Sequence, residues 1–302
     1  MSLIKKVRKH GFGGSARIAT DMVKRLLRRK VDPWRFRNAP KYANPTESEL
    51  SQIESDLARL SIAVADYNPP PPDRFHRFQQ EVWFPDEYHG GRTSGVWDEK
   101  LLEHWIAGEL LGLQHWSPDD IYVDIAACTS PWAKALRERR GLSAYAIDLA
   151  PVGADYAELP YYRSEDATQT CFADASVRGA SLQCAYEMFQ GDHDRLLIKE
   201  LARILRPGGK VIILPLYMHT HYCAYATPEY FGKGYADVDA KEYIRMDCYG
   251  VPSSRKYDAR RLKERVLDPI KQAGLSYRLH ALRNKAALGT GIYCHFILEI
   301  EK

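Results

Sequence analysis

The sequence contains no apolar stretch long enough to span a bilayer. A transmembrane helix needs about 20 consecutive apolar residues, and the 302 residues, with a mean hydropathy of −0.43, contain no such run. The start of the chain, MSLIKKVRKHGFGG, has basic residues but no apolar segment after them, so it does not resemble a secretory signal. We therefore expect a cytoplasmic protein.

Closely spaced cysteines are also absent. The six cysteines lie far apart in the sequence and form no Cys-x-x-Cys pair, and a chain of this length does not need disulfides to fold. Cys184 and Cys294 lie within the apolar runs SLQCAY and IYCHFILEI, as buried free thiols often do. Cysteine usage therefore indicates a reducing compartment.

The small net charge of +4 combines a basic N-terminal arm with an acidic remainder. Residues 1–41 hold 13 lysines and arginines against two aspartates, a charge of +11, which leaves −7 for the other residues. Apolar residues from Ile18 to Leu27 recur at helical spacing and predict a basic amphipathic helix. Such a helix can bind an anionic membrane surface or a nucleic acid, or lie solvated against the rest of the protein.

Two further regions follow the arm. Residues 42–118 predict a helical N-terminal extension or lid, in which Thr46 and Glu49 have the spacing of a capping box. In residues 119–302, strand and helix patterns alternate, which indicates a parallel sheet covered by helices. A segment at about 218–257, rich in tyrosine, is long for a connection and predicts either a substrate-binding insertion or a small packed subdomain.

The order of these elements resembles the class I S-adenosylmethionine-dependent methyltransferases over about residues 95–302. The clearest match is ELARILRPGGKVIILPLY, where the family has a helix, a Pro-Gly-Gly turn and a buried strand. The resemblance implies an α/β fold with a seven-stranded, mostly parallel, doubly wound sheet, preceded here by the helical extension. It also implies a methyltransferase that uses S-adenosyl-L-methionine as its cofactor.

The first two strand ends supply cofactor-binding residues that the resemblance implies. Asp124 ends the first strand, and the loop after it reads AACTS where the family has glycines. Small residues there can still approach the cofactor, so we include Ala126, Ala127 and Ser130. Asp148, followed by Leu149, ends the second strand, where the family binds the two ribose hydroxyls through a carboxylate.

The third and fourth strand ends complete the implied cofactor site. Asp166 and Ala167 resemble the family's Asp-Ala pair beside the adenine, with Glu165 and Asp174 as rivals for the acidic role. After the fourth strand, the resemblance implies that the chain faces both the methyl donor and the acceptor. The candidates there are Tyr186 and Glu187, followed by Met188 and Phe189.

Three histidines are candidate catalytic residues, because imidazole titrates near neutral pH and can deprotonate a hydroxyl group. They are His193 and the pair His219 and His221. The pair would point to one face of an extended chain, but two ligands alone do not define a metal site, so no metal is predicted. Beside His193, Asp192 or Asp194 is expected to cap a helix.

The histidines and the aromatic segment favour O-methylation of a sugar, a glycan or another hydroxylated small molecule. After the fourth strand the chain reads YEMF instead of the Asp/Asn-Pro-Pro-Tyr/Phe signature of base N-methylation, so nucleic acid is not the expected partner. The basic arm suggests peripheral contact with the inner face of an anionic membrane. Two alternatives stay open: an RNA or protein methyltransferase that uses the arm, and a non-catalytic binding module with a glycine-poor loop.

Overall fold

The computed structural model describes residues 31–69, 71–81 and 83–302. The predicted helix between Ile18 and Leu27, and most of the basic arm, lie outside the described residues. Among those that are described, no helix is both long and apolar enough to cross a membrane.

The chain divides into two compact units. The larger consists of Asn44–Cys223 and Arg255–Lys302, and the smaller consists of Ala224–Ser254 together with the described residues 31–43. The predicted insertion at about 218–257 and the end of the predicted basic arm therefore share one unit.

The larger unit begins with a helix whose predicted cap is confirmed. The Thr46 backbone amide donates to Glu49 Oε2 at 2.8 Å, and the Glu49 amide donates to Thr46 Oγ1 at 3.3 Å. Helices in the described part of this unit are α1 (Glu47–Arg59), α2 (Pro72–Gln80), α3 (Trp97–Leu111), α4 (Trp132–Arg140), α5 (His193–Ile204), α6 (Ala259–Leu262) and α7 (Asp268–Gln272).

A stretch of π-helix, Lys263–Leu267, joins α6 to α7. Pro269 lies just after it and has no backbone N–H, so it cannot donate to the turn before it. A wider turn at this point lets the chain continue as a helix across the proline. The single helix predicted by DARRLKERVLDPIKQAG is thus present with a local change of pitch.

The main sheet has eight strands in the order β1–β10–β11–β6–β5–β2–β3–β4. Strand β11 runs antiparallel to its two neighbours, and the other pairs are parallel. The strands are β1 (Val64–Tyr67), β2 (Ile121–Ile125), β3 (Ser143–Asp148), β4 (Tyr162–Ser164), β5 (Val177–Gln183), β6 (Leu205–Leu214), β10 (Ser276–Leu282) and β11 (Phe296–Glu301).

This topology confirms the predicted α/β, mostly parallel, doubly wound fold. The eighth strand is β1, which comes from the region predicted as a helical extension and pairs with β10 at the sheet edge. Strand β2 and the last four residues of β6, 211–214, are mostly apolar and buried, as expected where helices cover both faces of a sheet.

The chain order in the sheet reverses beside β2, whose neighbours are β3 and β5. From β2 the chain proceeds outward through β3 and β4, whereas β5 leads to β6 on the other side. A crevice forms outside the carboxyl ends of the strands at such a point, and ligands of doubly wound proteins bind there. The fold thus places the site at the loops that follow β2, β3, β4 and β5.

The smaller unit contains most of a three-stranded sheet in the order β8–β7–β9. Its strands are β7 (Cys223–Ala226), β8 (Lys241–Ile244) and β9 (Ser254–Lys256). The end of the predicted basic arm joins this unit, because the Ile244 amide donates to the Pro40 carbonyl at 2.8 Å. The Tyr42 ring also lies 4.8 Å from that of Tyr225, between ring centroids.

Close packing at β5 makes Gly179 a sensitive position. A Cβ atom there would lie 2.9 Å from both Leu111 and Trp116 and 3.0 Å from the Lys210 carbonyl. We expect Gly179→Ala to lower the free energy of unfolding by about 1–3 kcal/mol, the usual cost of overpacking. Gly95→Ala is the matched control, because no atom lies within 4 Å of its Cβ position. Urea denaturation of both variants measures the difference, and equal losses would contradict the packing described.

Candidate cofactor-binding and active site

A cavity of about 560 Å³ opens at the carboxyl ends of β2, β3, β4 and β5. This volume is within the range of about 300–1,000 Å³ typical of small-molecule sites. The cavity brings together six residues that the sequence analysis singled out: Ala126, Asp148, Leu149, Asp166, Ala167 and His193. We call it the donor cavity.

A second cavity, of about 180 Å³, adjoins the donor cavity and shares Ala126, Cys128 and Cys184 with it. The remaining predicted residues of the first loop line it: Asp124, Ala127 and Ser130. Its other polar lining groups were not predicted, and they are Tyr88, His89, Lys100, Glu103, Thr129, His104 and Gln183. We call it the polar cavity.

The loop after β2 keeps a glycine-like backbone without glycine. Ala126 and Cys128 have φ values of 55° and 51°, in the left-handed region that L-residues seldom occupy. Each such residue costs roughly 1–2 kcal/mol of conformational energy. The missing glycines have therefore been replaced by small residues in the same kind of conformation, and the cavity wall stays open.

The Asp148 side chain, at the end of β3, holds this loop through a hydrogen bond. Its Oδ2 accepts a hydrogen bond from the Cys128 amide at 2.7 Å, and its Oδ1 accepts one from the Ala150 amide at 2.8 Å. Each carboxylate oxygen has two lone pairs, so both retain acceptor capacity for two neighbouring hydroxyl groups. The arrangement fits the predicted role of Asp148 toward a ribose.

Asp166 lies beyond the end of β4 and is held in a tight turn. Its Oδ1 accepts from the Thr168 amide and the Thr168 hydroxyl, both at 2.8 Å, and the amide hydrogen bond above all lowers the pKa of the carboxyl group. Its rival Glu165 also lines the donor cavity. Asp174, the other rival, pairs with Arg203 and is not among the described lining residues.

Asp124 is a buried carboxyl group beneath the polar cavity. Burial raises its pKa to about 7, and among the described residues its Oδ2 has no hydrogen-bond partner. Buried polar groups are normally paired, so this oxygen requires a donor from a ligand. The ammonium group at the amino-acid end of S-adenosylmethionine is such a donor, and the residues present therefore fit the cofactor.

His193 lies at the Asp166 end of the donor cavity, because its charge lowers the pKa of Asp166. Its Nδ1 lies 2.9 Å from the Gln190 carbonyl, which can only accept, so Nδ1 carries the proton. In the neutral ring, Nε2 then keeps its lone pair. If Asp166 contacts adenine, as the sequence predicts, His193 lies at the adenine end of the donor cavity.

Four predicted site residues lie elsewhere: Tyr186, Glu187, His219 and His221 are not among the described lining residues of either cavity. Tyr186 is fully buried, and its hydroxyl donates to the Asp194 carbonyl at 3.2 Å. Glu187 is also buried, which raises the pKa of its carboxyl group. Cys184, with φ at 49°, lies just before the short helix Tyr186–Met188 that contains both residues.

The expected capping role of Asp192 or Asp194 is corrected. Asp192 occupies the N-cap position of α5, but its side chain makes no capping hydrogen bond. Asp194 is fully buried and forms ion pairs with Arg255 and Arg265, each at 2.8 Å. Asp194 Oδ1 also accepts from the Arg195 amide at 2.9 Å. The two arginines form the stronger interactions, since charge-assisted hydrogen bonds are stronger than neutral ones.

The polar residues that were missed lie on or beside α3. Lys100 Nζ donates to Glu103 Oε1 at 2.9 Å and to Cys184 Sγ at 2.7 Å, all in a buried setting. The Tyr88 hydroxyl lies 2.9 Å from His104 Nε2, and burial keeps the pKa of His104 well below its usual value. The sequence EKLLEHW could have indicated these residues, because its charged residues interrupt a helix that is otherwise apolar.

The left-handed conformation of Ala126 predicts an unusual effect of glycine. Ala126→Gly should be less destabilising than Ala127→Gly by about 1 kcal/mol, because only the first relieves a strained φ. Ala127, the matched control, is not among the residues with positive φ. Thermal and urea unfolding of the two variants provide the comparison. Equal destabilisation would mean that the loop does not have this conformation in solution.

The raised pKa of Asp124 predicts that cofactor affinity depends on pH. Only the carboxylate attracts an ammonium group, so affinity should increase about tenfold per unit as pH rises toward 7 and level off above it, given the pKa of about 7. Asp124→Asn should bind weakly and without this dependence, whereas Asp119→Asn, at an exposed position, should behave as the unaltered protein. Calorimetry across this pH range measures the effect, and an unchanged affinity in Asp124→Asn would remove Asp124 from the site.

Two comparisons with solved structures give low similarity over long alignments. A 1,6-didemethyltoxoflavin-N1-methyltransferase from Burkholderia thailandensis, with bound 1,6-didemethyltoxoflavin and S-adenosylhomocysteine, is 16% identical; 80% of this chain and 94% of that one are covered, with a TM-score of 0.44. A SAM-dependent methyltransferase from Methanosarcina mazei is also 16% identical, with 63% and 95% covered and a TM-score of 0.40. Both scores lie below 0.5 and leave the acceptor open.

No curated protein matches the chain. A family model described as a methyltransferase domain matches residues 123–213, which run from β2 to the end of β6. This segment supplies most of the donor cavity, and it follows the order of elements expected from the sequence. The predicted family, enzyme class and cofactor are thereby confirmed. Residues 123–213 therefore form a methyltransferase domain, set in a doubly wound sheet of the class I type.

Proposed function

We propose that this methyltransferase transfers its methyl group to the hydroxyl of a small molecule, with sugars and glycans as the first class of acceptor. The observation that carries the proposal is the polar cavity beside the donor cavity, with which it shares Ala126, Cys128 and Cys184. A small cavity lined by ionisable and hydrogen-bonding groups suits a polar acceptor better than an apolar one.

Residues of both cavities orient the cofactor in this proposal: Asp148 and Asp166 line the donor cavity, and Asp124 lines the polar cavity. Asp166 takes the adenine end, Asp148 the ribose, and Asp124 the ammonium group, so the reactive end lies beside the polar cavity. When bound, the cofactor supplies an electrophilic methyl group. The chain's own contribution is then to position the acceptor hydroxyl, exclude water and receive a proton.

Glu103 is the proton acceptor that we propose. Its carboxylate lines the polar cavity and is oriented by Lys100 at 2.9 Å. The neutral His104, with its Nε2 beside the Tyr88 hydroxyl, offers a second polar contact for the acceptor. His193, His219 and His221 stay predictions as bases, but His193 lies at the opposite end of the donor cavity.

The partners of the basic arm form a separate proposal. Residues 1–41 carry a charge of +11, which suits peripheral contact with an anionic membrane and would bring the enzyme to lipid-linked glycans. Vesicles with and without anionic lipid, tested against the full chain and a chain lacking residues 1–30, give the test. Equal binding by the two chains would remove the arm from this role.

The central experiment is a tritiated-methyl transfer screen over sugars, lipid-linked glycans, catechols, RNA and protein. We expect labelling of a hydroxylated acceptor. Glu103→Gln should lower kcat by about 10²–10⁴-fold, the usual contribution of a general base, with cofactor affinity unchanged. His193→Ala is the matched comparison and should keep most of the activity, while Asp148→Ala should lose cofactor affinity.

Three outcomes would contradict the proposed function. Methyl transfer to RNA or protein would favour the alternative acceptors. No binding of S-adenosylmethionine at millimolar concentration would favour a non-catalytic module. A larger loss in His193→Ala than in Glu103→Gln would move the base to the histidine that the sequence predicted.

A further inference from the structure

We propose that His219, His221 and Cys223 form a binding site for a transition-metal ion of the Zn²⁺ class. One ring nitrogen of each histidine and the Cys223 sulfur lie within 4.8 Å of one another. His219 and Cys223 are buried, and His221 is half-buried. The site lies apart from both cavities, since none of the three residues is among their described lining groups.

The spacing of the three residues explains why they meet. They alternate along the chain as His-x-His-x-Cys, the backbone bends at Thr220 and His221, and the two imidazole rings lie 4.4 Å apart between centroids. The backbone is fixed where this segment begins, because the His219 amide donates to the Tyr257 carbonyl at 2.8 Å. The Tyr222 amide, between the ligands, donates to Asp258 Oδ2 at 3.2 Å. Hydrogen bonds of the His219 and Tyr222 amides thus hold the segment that carries the three ligand atoms.

The chemistry of the donor set selects the metal. Two imidazoles and a thiolate form a nitrogen–sulfur set that suits zinc and is unsuited to magnesium or calcium, which prefer oxygen ligands. Zn–N bonds of about 2.0–2.1 Å and Zn–S bonds of about 2.3 Å place tetrahedral ligand atoms roughly 3.3–3.8 Å apart. Closing the site therefore needs side-chain shifts of about 1 Å, which χ rotations provide.

Neighbouring groups favour a cation at this position. The Thr220 hydroxyl lies 3.2 Å from Nδ1 of His219 and 3.3 Å from Nδ1 of His221, so it can orient both rings. Such hydrogen bonds to ligating histidines fix ring orientation and tune metal affinity. The charges of both imidazoles lower the pKa of Glu49, so that carboxylate is close enough to feel a charge at the site. A thiolate and Glu49 together would neutralise a divalent ion.

The metal would act as a clip, that is, as a cross-link between two parts of the chain. It would join the chain just beyond β6 to the first residue of β7, and a water molecule would complete the fourth position. On binding, the Cys223 thiol loses its proton to solvent, so the thiolate ligates and the affinity increases with pH. The site is independent of the acceptor and of methyl transfer.

Cobalt spectroscopy on the full chain tests the site directly. Co²⁺ added to metal-free protein should bind at one equivalent and give a thiolate-to-cobalt charge-transfer band with the intense visible bands of a tetrahedral ion. Zn²⁺ should displace it. Cys223→Ser should lose the charge-transfer band, and His221→Ala, at a half-buried position that tolerates truncation, should bind Zn²⁺ at least about 100-fold more weakly.

Matched controls come from exposed residues of the same types. Cys171→Ser and His115→Ala, both at exposed positions, should leave the spectrum and the Zn²⁺ affinity unchanged. A rise in melting temperature with Zn²⁺, lost in His221→Ala, would support the clip.

The proposal is overturned if the full chain binds less than about a tenth of an equivalent of metal under these conditions. It is also overturned if the charge-transfer band persists in Cys223→Ser. Methyl transfer is not measured, so these results stand whatever the acceptor is.

Discussion

The wall of the donor cavity depends on one buried carboxylate, Asp194. It accepts hydrogen bonds from Arg255 and Arg265 and from the Tyr257 hydroxyl, the last at 2.8 Å, and it is completely shielded from solvent. An unpaired charge at such depth costs several kcal/mol, so the three partners must stay in place for the fold to persist. The start of α5 and the turn before it, which line the cavity, are positioned by this requirement.

The same cluster also fixes the carbonyl end of the turn. Arg255 and Arg265 both donate to the Gly191 carbonyl, two residues before α5 begins. Asp194 lies in the first turn of α5, where the partial positive charge of the helix favours an anion. The geometry of the turn between β5 and α5 is thus set by side chains that lie 64 and 74 residues later in the chain.

Residues at strand ends could be predicted from the sequence, whereas residues that depend on a loop's direction could not. Asp148 and Asp166 were found because a strand pattern shows where its carboxyl end lies, and parallel strands share one edge. Tyr186 and Glu187, predicted to face the methyl donor, are not among the described lining residues of the donor cavity, and the left-handed φ of Cys184 before them is not revealed by any composition. Likewise, the helical pattern of α3 predicted which face of the helix is apolar. It could not predict that Lys100 and Glu103, on the other face, are buried as well.

Strand β1 was missed for a related reason. Its sequence, VADY, is short and half polar, and its burial is partial along the whole strand. A pattern of four residues with one acid is too weak to distinguish from a loop. Only its partner β10, more than 200 residues away in sequence, makes it a strand. The information that specifies β1 therefore lies in tertiary structure.

The position of β1 has a consequence for the molecule's solubility. The main sheet ends on one side with the four residues of β1 and on the other with the three residues of β4. Long open edges invite another chain to add a strand, and natural sheets avoid this with short or charged edge strands. Here both edges are brief, and Asp66 in β1 is engaged by Arg283 at 2.8 Å. The long central strands would aggregate most readily if exposed. They are therefore shielded on each side by short strands that have few unpaired backbone groups for a second polypeptide to bind.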